Sequence, residues 1–359
     1  DIKGIEMKKI AIFADVHLCE EYYSTIKEPL EFFVNYLREN KIDTAVLAGD
    51  YFDKRLPADS FAYKYGISKL GEISSIVDNL IILRGTYSHD YDSLDIIETI
   101  SDFWISQTNI IYTKTMSEIE IDGKNILLLP EEYPEFPEEY YKENLEKQYD
   151  YIFGHGDING AMLHSGIDNR RLKGFRFSPT ILSNISKQTV FGHIHKQQFL
   201  KDNVSYPGSL ARNKYGEEED KGFLVIDCEE DKIEFVVTPS TTFKTLVIDS
   251  DMTEEELVEI KSKYTNLKLK IDKKDIDTST SIKELLKKID LDINIDLVGK
   301  YDDSEVLFKD IENKNILEQF QIIYDSDVNN KKIPLKKQTF FNYETINKVL
   351  QESLDSETK

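Results

Sequence analysis

The chain is short of several things that would place it in a class at once. It has only 2 cysteines in 359 residues, Cys19 and Cys228, in no spaced motif. A disulfide framework is therefore not its organising device, and a reducing cytoplasmic setting is expected. No run of 18 apolar residues occurs, so no membrane-spanning helix is expected. The N-terminal stretch lacks the charged-then-apolar pattern of a secretory signal. There is no internal repeat and no low-complexity tract. Positive charge is in deficit, with 45 Lys and Arg against 67 Asp and Glu, a net of −22. That balance argues against binding nucleic acid by bulk charge, since such binders neutralise phosphates with Lys and Arg. An enzyme that meets phosphate through bound cations remains compatible with it, because bound divalent ions reverse the local sign of a site.

What is present reads as globular α/β. Hydrophobic residues make up 40%, with 20 Tyr and 19 Phe, enough for the cores of two domains. Short apolar runs end in turn signals: Lys9 to Ala14, Thr44 to Ala48, Leu80 to Leu83, Ile126 to Leu129, Tyr151 to Phe153 and Thr189 to Phe191. These fit buried strands. Helical periodicity separates the first of them, over Pro29 to Asn40 and Ser60 to Leu80. Strand–helix–strand order predicts mostly parallel strands, with functional loops at their carboxyl ends. Glu131 to Asp150 reads as a surface loop and helix, and further strands are expected at Phe223 to Asp227 and Ile233 to Thr238. A second, smaller α/β unit is expected over 250–325. It is followed by a polar linker and a last amphipathic helix, Phe340 to Leu354, in 326–359.

The histidines carry the chemistry. Of 6, five lie in Asp- and Gly-rich loops at strand ends: His17, His89, His155, His193 and His195. Asp15 stands two residues before His17, and Asp50 and Asp53 lie in Gly49-Asp50-Tyr51-Phe52-Asp53. On an extended loop, Asp-x-His points both side chains to one side, so one ion can be held twice. Imidazole and carboxylate without thiolate suit Mn²⁺, Fe²⁺, Zn²⁺ or Mg²⁺. So many donors exceed the needs of one ion, and two metals sharing a bridging carboxylate are expected.

The order of these blocks resembles the signature of the calcineurin-like metallophosphoesterases: Asp15-Val16-His17, Gly49-Asp50 to Asp53, Gly85 to Asp90, Gly154-His155 and Gly192-His193-Ile194-His195. The resemblance implies a β-sandwich flanked by helices over 8–245. It implies that Asp15, His17, Asp50 and His195 hold a first metal, that Asp50 bridges, and that His155 and His193 hold a second. His89 would face the scissile phosphate, with Asp53 orienting it. Mn²⁺ is the first choice of metal. One block departs from the pattern. The usual Gly-Asn-His-Asp is here Gly85-Thr86-Tyr87-Ser88-His89-Asp90, and Ser88 takes the place of the Asn that ligates the second metal. Ser88, Thr86 or a water could fill that position.

Two later blocks, Tyr206 to Arg212 and Gly216 to Phe223, resemble the SbcD branch. That branch includes the bacterial exonuclease, the eukaryotic meiotic-recombination nuclease and the small subunit of the phage recombination endonuclease. The likeness implies a DNA exonuclease or endonuclease subunit acting in double-strand-break or recombination processing. It also implies a homodimer joined to an SMC-like coiled-coil ATPase of the SbcC kind, docked through the last helix. Tyr206, Gly208, Ser209 and Arg212 would face the DNA. The competing readings are a small-molecule phosphodiesterase or phosphomonoesterase on the same metals, and a scaffold with a degraded second site.

Overall fold

In the computed structural model the described residues are 7–98, 109–163, 168–171, 174–213, 215, 217–248, 255, 256, 259, 266–271 and 295–297. Two compact units divide the chain, one of residues 1–270 and 280–296, the other of 271–279 and 297–359. The first unit contains two six-stranded sheets.

The first sheet runs β12-β11-β1-β2-β3-β4. It is built from β1 (Lys9–Phe13), β2 (Thr44–Ala48), β3 (Asn79–Leu83), β4 (Ile110–Thr113), β11 (Gly222–Asp227) and β12 (Lys232–Val237). β1 to β4 pair in parallel, while β11 joins β1 and β12 antiparallel. The second sheet runs β5-β6-β7-β8-β10-β9. Its strands are β5 (Ser117–Ile121), β6 (Lys124–Leu129), β7 (Tyr149–His155), β8 (Ser186–Gly192), β9 (Gln198–Lys201) and β10 (Val204–Tyr206). Here β6, β7, β8 and β10 are parallel, with β5 and β9 antiparallel at the two edges. A third sheet has the order β13-β14-β15, from β13 (Phe243–Ile248), β14 (Asn266–Ile271) and β15 (Ile295–Leu297).

Side-chain alternation assigns each face of the sandwich. Ile10, Ile12, Val46, Ala48, Ile81 and Leu83 meet Ile126, Leu128, Tyr151, Phe153 and Val190 between the two sheets. Their neighbours Ala11, Phe13, Ala45, Leu47, Leu80 and Ile82 pack outward against helices α1 (Tyr23–Glu39) and α2 (Phe61–Ser74), through Leu30, Phe33, Leu37, Leu70 and Ile73. On the far side, Leu127, Leu129, Ile152 and Phe191 pack beneath the helix Pro179–Ile185. Strands covered on both faces read as continuous apolar runs rather than alternating ones. That is why β1, β2 and β3 were visible as short uninterrupted blocks.

The fold is the expected α/β sandwich of two mixed sheets with flanking helices. Two helix expectations change. α1 begins at Tyr23 and carries Pro29 inside it; Ile26, Pro29, Leu30 and Phe33 are buried along one face, and this packing offsets the missing N–H. α2 ends at Ser74, because Leu80 belongs to β3 and the chain must turn first. At that turn Asp78 and Asn79 both donate their backbone N–H to the Asp43 carbonyl. Residues 131–150 hold two short helical turns, Pro137–Tyr140 and Lys142–Leu145. Within the expected capping unit only β14, β15 and residues 255, 256 and 259 are described, and the terminal helix Phe340 to Leu354 lies outside the described residues. No described helix is long and apolar enough to cross a membrane.

Candidate metal centre

The chemistry sits where parallel strands end, as ligand sites do in open α/β sheets. Asp15 and His17 follow β1, Asp50 follows β2, and Thr86 and His89 follow β3. Glu131 follows β6, His155 is the last residue of β7, and His193 and His195 follow β8. Two sheets therefore contribute to one cluster. Sharp turns bring the side chains inward at a backbone cost. Asp15, His17, Asp50 and His193 all adopt positive φ, at 51°, 51°, 51° and 98°. Non-glycine residues take that region at a penalty of about 1–3 kcal/mol, and such residues gather at functional sites. Gly85 must lack a side chain because a Cβ there would collide with the backbone and carboxylate of Asp50.

Three sets of donors converge, with ligand atoms within 4.8 Å of one another: Asp15, His17 and His195; His17, Asp50 and His89; Asp50, His155 and His193. Asp50 and His17 are shared, so the sets form one double centre. His17 Nε2 lies 2.9 Å from His195 Nε2, and His155 Nε2 lies 3.3 Å from Asp50 Oδ2. The histidines are oriented from behind. His155 donates Nδ1–H to the Ala48 carbonyl at 2.8 Å, His195 to Glu217 at 2.9 Å, and His89 to the Asp53 carbonyl at 2.6 Å. A carbonyl or buried carboxylate can only accept, so each bond fixes the orientation of its ring and turns Nε2 towards the cluster. His17 Nδ1 lies 3.2 Å from Asp53 Oδ1.

Electrostatics favour cations here. Asp15 and Asp50 are 0% and 2% exposed. Burial pushes the Asp15 carboxyl well above its ordinary value, against the opposing pull of His155. Burial also acts on Asp50, but the neighbouring His155 imidazole outweighs it and holds Asp50 below the usual carboxylate range. Burial lowers His195 to about 4 and lowers His193 as well, so both favour the neutral, ligating form. Two adjacent buried carboxylates ringed by imidazoles, all hard or borderline donors with no thiolate, match the donor set of a pair of divalent ions. The residues present fit a two-metal site.

Behind the donors is a supporting layer. Asp90 is fully buried and accepts four backbone N–H groups, from Asp50, Tyr51, Phe52 and Gly85. It ties the β2 and β3 loops together. Glu217 and Lys221 are buried side by side, 3.7 Å apart, and Lys221 Nζ donates to the His195 carbonyl at 2.9 Å. Asp15 accepts the His193 N–H with both oxygens at 3.0 Å.

Of the residues expected from sequence, Asp15, His17, Asp50, His89, His155, His193 and His195 are brought together, with Asp53 beside them. Asp53 acts twice, its carbonyl on His89 and its carboxylate near His17. Ser88 is not in the cluster. It is exposed on the short helix α3 (Tyr87–Asp90), whose turn carries it outward. Thr86 takes the inner place: its N–H donates to Asp50 Oδ1 at 2.6 Å, and its hydroxyl lies 3.2 Å from Asp50 Oδ2 and 3.4 Å from His155 Nε2.

The four residues expected to face DNA are turned inward. The buried Tyr206 hydroxyl donates to the Gly156 carbonyl and accepts the Ile158 N–H. Gly208, at φ 77°, makes the turn that lets the Ser209 N–H reach the His195 carbonyl. Ser209 donates its hydroxyl to the Ala211 carbonyl. Arg212 is spent on the carbonyls of Ser240 and Glu219, with Asp220 at 3.5 Å. The Arg212 guanidinium is thereby tied to the scaffold.

Glu131, Asp90, Glu217 and Lys221 were given no role of their own in the sequence reading. Glu131 could have been found by its position at a strand tip, like every other donor. Glu217 could not, because it stands in the acidic run Glu217 to Asp220 and nothing in the run distinguishes it.

The comparisons agree with the geometry. The family model described as calcineurin-like phosphoesterase matches residues 8–197, more than half of the chain. Among curated relatives, "Putative phosphoesterase 078R" of Invertebrate iridescent virus 3 is 22% identical over 220 residues, 58% of this chain and 59% of that protein. The chain thus spans about three-fifths of that relative's length. "Putative phosphoesterase 244L" of Invertebrate iridescent virus 6 is 24% identical over 226 residues, 61% of this chain and 75% of that protein. Two solved structures resemble the chain faintly. Yfce, a phosphoesterase from E. coli, has TM-score 0.33 and 11% identity, over 65% of this chain and 98% of that one. A dimetal phosphatase from Danio rerio has TM-score 0.36 and 11% identity, over 61% and 92%. With Asp15, His17, Asp50, His155, His193 and His195 gathered at the strand ends within the matched span, the chain belongs to the calcineurin-like phosphoesterases.

Proposed function

We propose that this phosphoesterase is a phosphodiesterase acting on DNA. The observation that carries the reading is a cavity of about 340 Å³ opening beside His155. That volume is at the small end for ligand pockets, about 300–1,000 Å³. Its walls are aromatic: Tyr133, Tyr141, Phe175 and Phe177. Tyr141 stacks on Phe175 with ring centroids 5.6 Å apart, and Phe177 meets both rings edge-on. Glu132 and Asp157 add acceptors. Stacking on aromatic rings contributes about 1–3 kcal/mol per base and tolerates any sequence. Carboxylate acceptors suit the amino groups of bases and repel phosphates, so the phosphate is left to the neighbouring metal centre.

When bound, the cations supply positive charge to the phosphate and lower the pKa of the attacking water. The chain's own residues do the rest. Asp53 holds the His89 ring through its carbonyl, which leaves Nε2 to meet the departing ester oxygen. Asp15 fixes His193 through the backbone, and Glu217 fixes His195, so the donor geometry is set before substrate arrives.

The test compares two esters with the same leaving group, thymidine 5′-(p-nitrophenyl phosphate) and methyl p-nitrophenyl phosphate, both with Mn²⁺. The nucleoside ester should have the higher kcat/KM by about one to two orders of magnitude, the worth of one stacked base. Phe175→Ala should remove that preference and leave the methyl ester unaffected. Equal kcat/KM for the two esters defeats the nucleic-acid reading.

The finer assignment is a DNA exonuclease or endonuclease subunit working as a homodimer with an SMC-like ATPase. Its support is the SbcD-like blocks and the net charge of −22, which leaves DNA affinity to a partner. Digestion of end-labelled duplex DNA with Mn²⁺ should be weak for the chain alone and rise when an SMC-like ATPase encoded beside it is added. An ATPase that neither co-purifies with the chain nor stimulates it removes the partnership.

A further inference from the structure

We propose that Glu131 is a ligand of the second metal, completing with Thr86 the coordination that Asp50, His155 and His193 begin. The inference rests on the two-metal reading of the site and names a donor outside the motif blocks. Three observations support it.

The first is distance. Glu131 Oε2 lies 3.7 Å from His155 Nε2, 3.9 Å from His193 Nδ1 and 2.8 Å from the Thr86 hydroxyl. Donor atoms about 2.1 Å from one ion are about 3 Å apart at adjacent octahedral positions and about 4.2 Å apart at opposite ones. The measured separations fall in or beside that range, as does the 3.3 Å between His155 Nε2 and Asp50 Oδ2.

The second is orientation. Glu131 is held at both ends. Its N–H donates to the Arg84 carbonyl at 3.2 Å, which anchors it to the end of β3. Oε1 accepts the Tyr133 hydroxyl at 2.7 Å, and Oε2 accepts the Thr86 hydroxyl on the side of the imidazoles. A carboxylate held by two hydroxyls, with one oxygen near the nitrogens of two histidines, is placed to bind a cation through that atom.

The third is the altered block. Gly85 to Asp90 carries no asparagine, and Ser88 faces solvent. The Thr86 hydroxyl joins Asp50 Oδ2, at 3.2 Å, to Glu131 Oε2, at 2.8 Å. A glutamate reaching in from β6 therefore occupies the side of the site that the missing amide leaves uncovered. The exchange alters the charge. With Glu131, three carboxylates face two divalent ions, and the centre retains about one positive charge instead of two. A carboxylate also binds a hard cation more strongly than an amide does.

The experiment counts metal. The full chain, stripped and equilibrated with Mn²⁺ alone, is titrated by calorimetry, and bound Mn²⁺ per chain is measured after gel filtration. Low-temperature electron paramagnetic resonance reports the spin-coupled pair. The wild type should bind two ions and show coupling. Glu131→Ala should bind one, with the second constant weakened about a hundredfold or more and the coupling lost. Glu131→Gln, which restores a neutral amide of nearly the same shape, should keep two ions with the second weakened about tenfold, the order of change seen when groups around a metal are altered. Thermal unfolding in chelator checks that both variants are folded. Two coupled ions in Glu131→Ala, with unchanged constants, overturn the proposal and leave the two-metal site standing. Fewer than two ions in the wild type overturns both.

Discussion

Glu217 is the residue whose removal would be most informative, because it supports the first metal without touching it. Glu217→Gln keeps the shape and removes the charge. In the wild type, Oε1 accepts from His195 Nδ1 and Oε2 accepts the Asn213 N–H at 3.1 Å, with the Lys221 ammonium 3.7 Å away. Glu217 and Lys221 side chains are both 0% exposed. Burial alone would raise the Glu217 carboxyl, yet the His195 hydrogen bond and the Lys221 charge hold it down at about 2, from an ordinary 4.5. That drop corresponds to about 3 kcal/mol in favour of the ionised form. Removing one partner of a buried pair costs about 3–5 kcal/mol. The lower end applies here, because Lys221 keeps Glu219 at 2.8 Å and the His195 carbonyl. A loss of about 3 kcal/mol lowers the melting temperature of a domain this size by about 6–12 °C. The amide oxygen can accept from His195 or from the Asn213 N–H but not from both, so the imidazole's anchor is weakened and first-site Mn²⁺ affinity should fall about 10–100-fold. The sign with pH follows from the depressed carboxyl. Its stabilising effect is complete above about pH 4.5 and fades as pH falls towards 2. Calorimetric melting and Mn²⁺ titration of both proteins at pH 7 decide the matter. A variant that melts with the wild type and binds Mn²⁺ as tightly refutes this reasoning.

Other expectations can be checked with the same instruments. Asp90→Asn replaces an acceptor of four backbone N–H groups with a side chain that can satisfy only half of them. It should cost about 3 kcal/mol or more and raise the denaturant sensitivity of the apoprotein. Tyr206→Phe leaves the Ile158 N–H and the Gly156 carbonyl unpaired, so stability should drop by about 1–3 kcal/mol while KM for DNA stays unchanged. A rise in KM without a loss of stability would return Tyr206 to the substrate. Stripping the metals with chelator should lower the melting temperature and abolish hydrolysis. At Mn²⁺ about 100 times the dissociation constant, each site adds about 2.7 kcal/mol, so a melting point indifferent to Mn²⁺ would refute the two-metal centre.

Much of this site was legible because its parts obey local rules. Asp15-Val16-His17 and Gly192-His193-Ile194-His195 sit at the ends of apolar runs, and a short strand followed by a polar loop is a pattern that sequence displays directly. The helices were found but misplaced at their ends. The apolar periodicity was read from Pro29 onward, and only the packing of Ile26, Leu30 and Phe33 shows why a proline is tolerated inside the helix. Ser88 and Thr86 show a finer limit. Both lie in the altered block, and which one faces the centre depends on where α3 begins to turn.

The sequence by itself determined the kind of chemistry, since residue type fixes donor hardness and the apolar runs fix which loops share an end of the sheet. It could not assign the residues that act across long separations. Asp90 reaches Asp50 from 40 positions away, Glu131 reaches Thr86 from 45, and Lys221 reaches the His195 carbonyl from 26. The same distance in space turned Tyr206 and Arg212 from surface contacts into internal struts. A carboxylate becomes a strut, a ligand or a solvated surface group according to what else is buried around it, and only the packing of the two sheets against each other decides that.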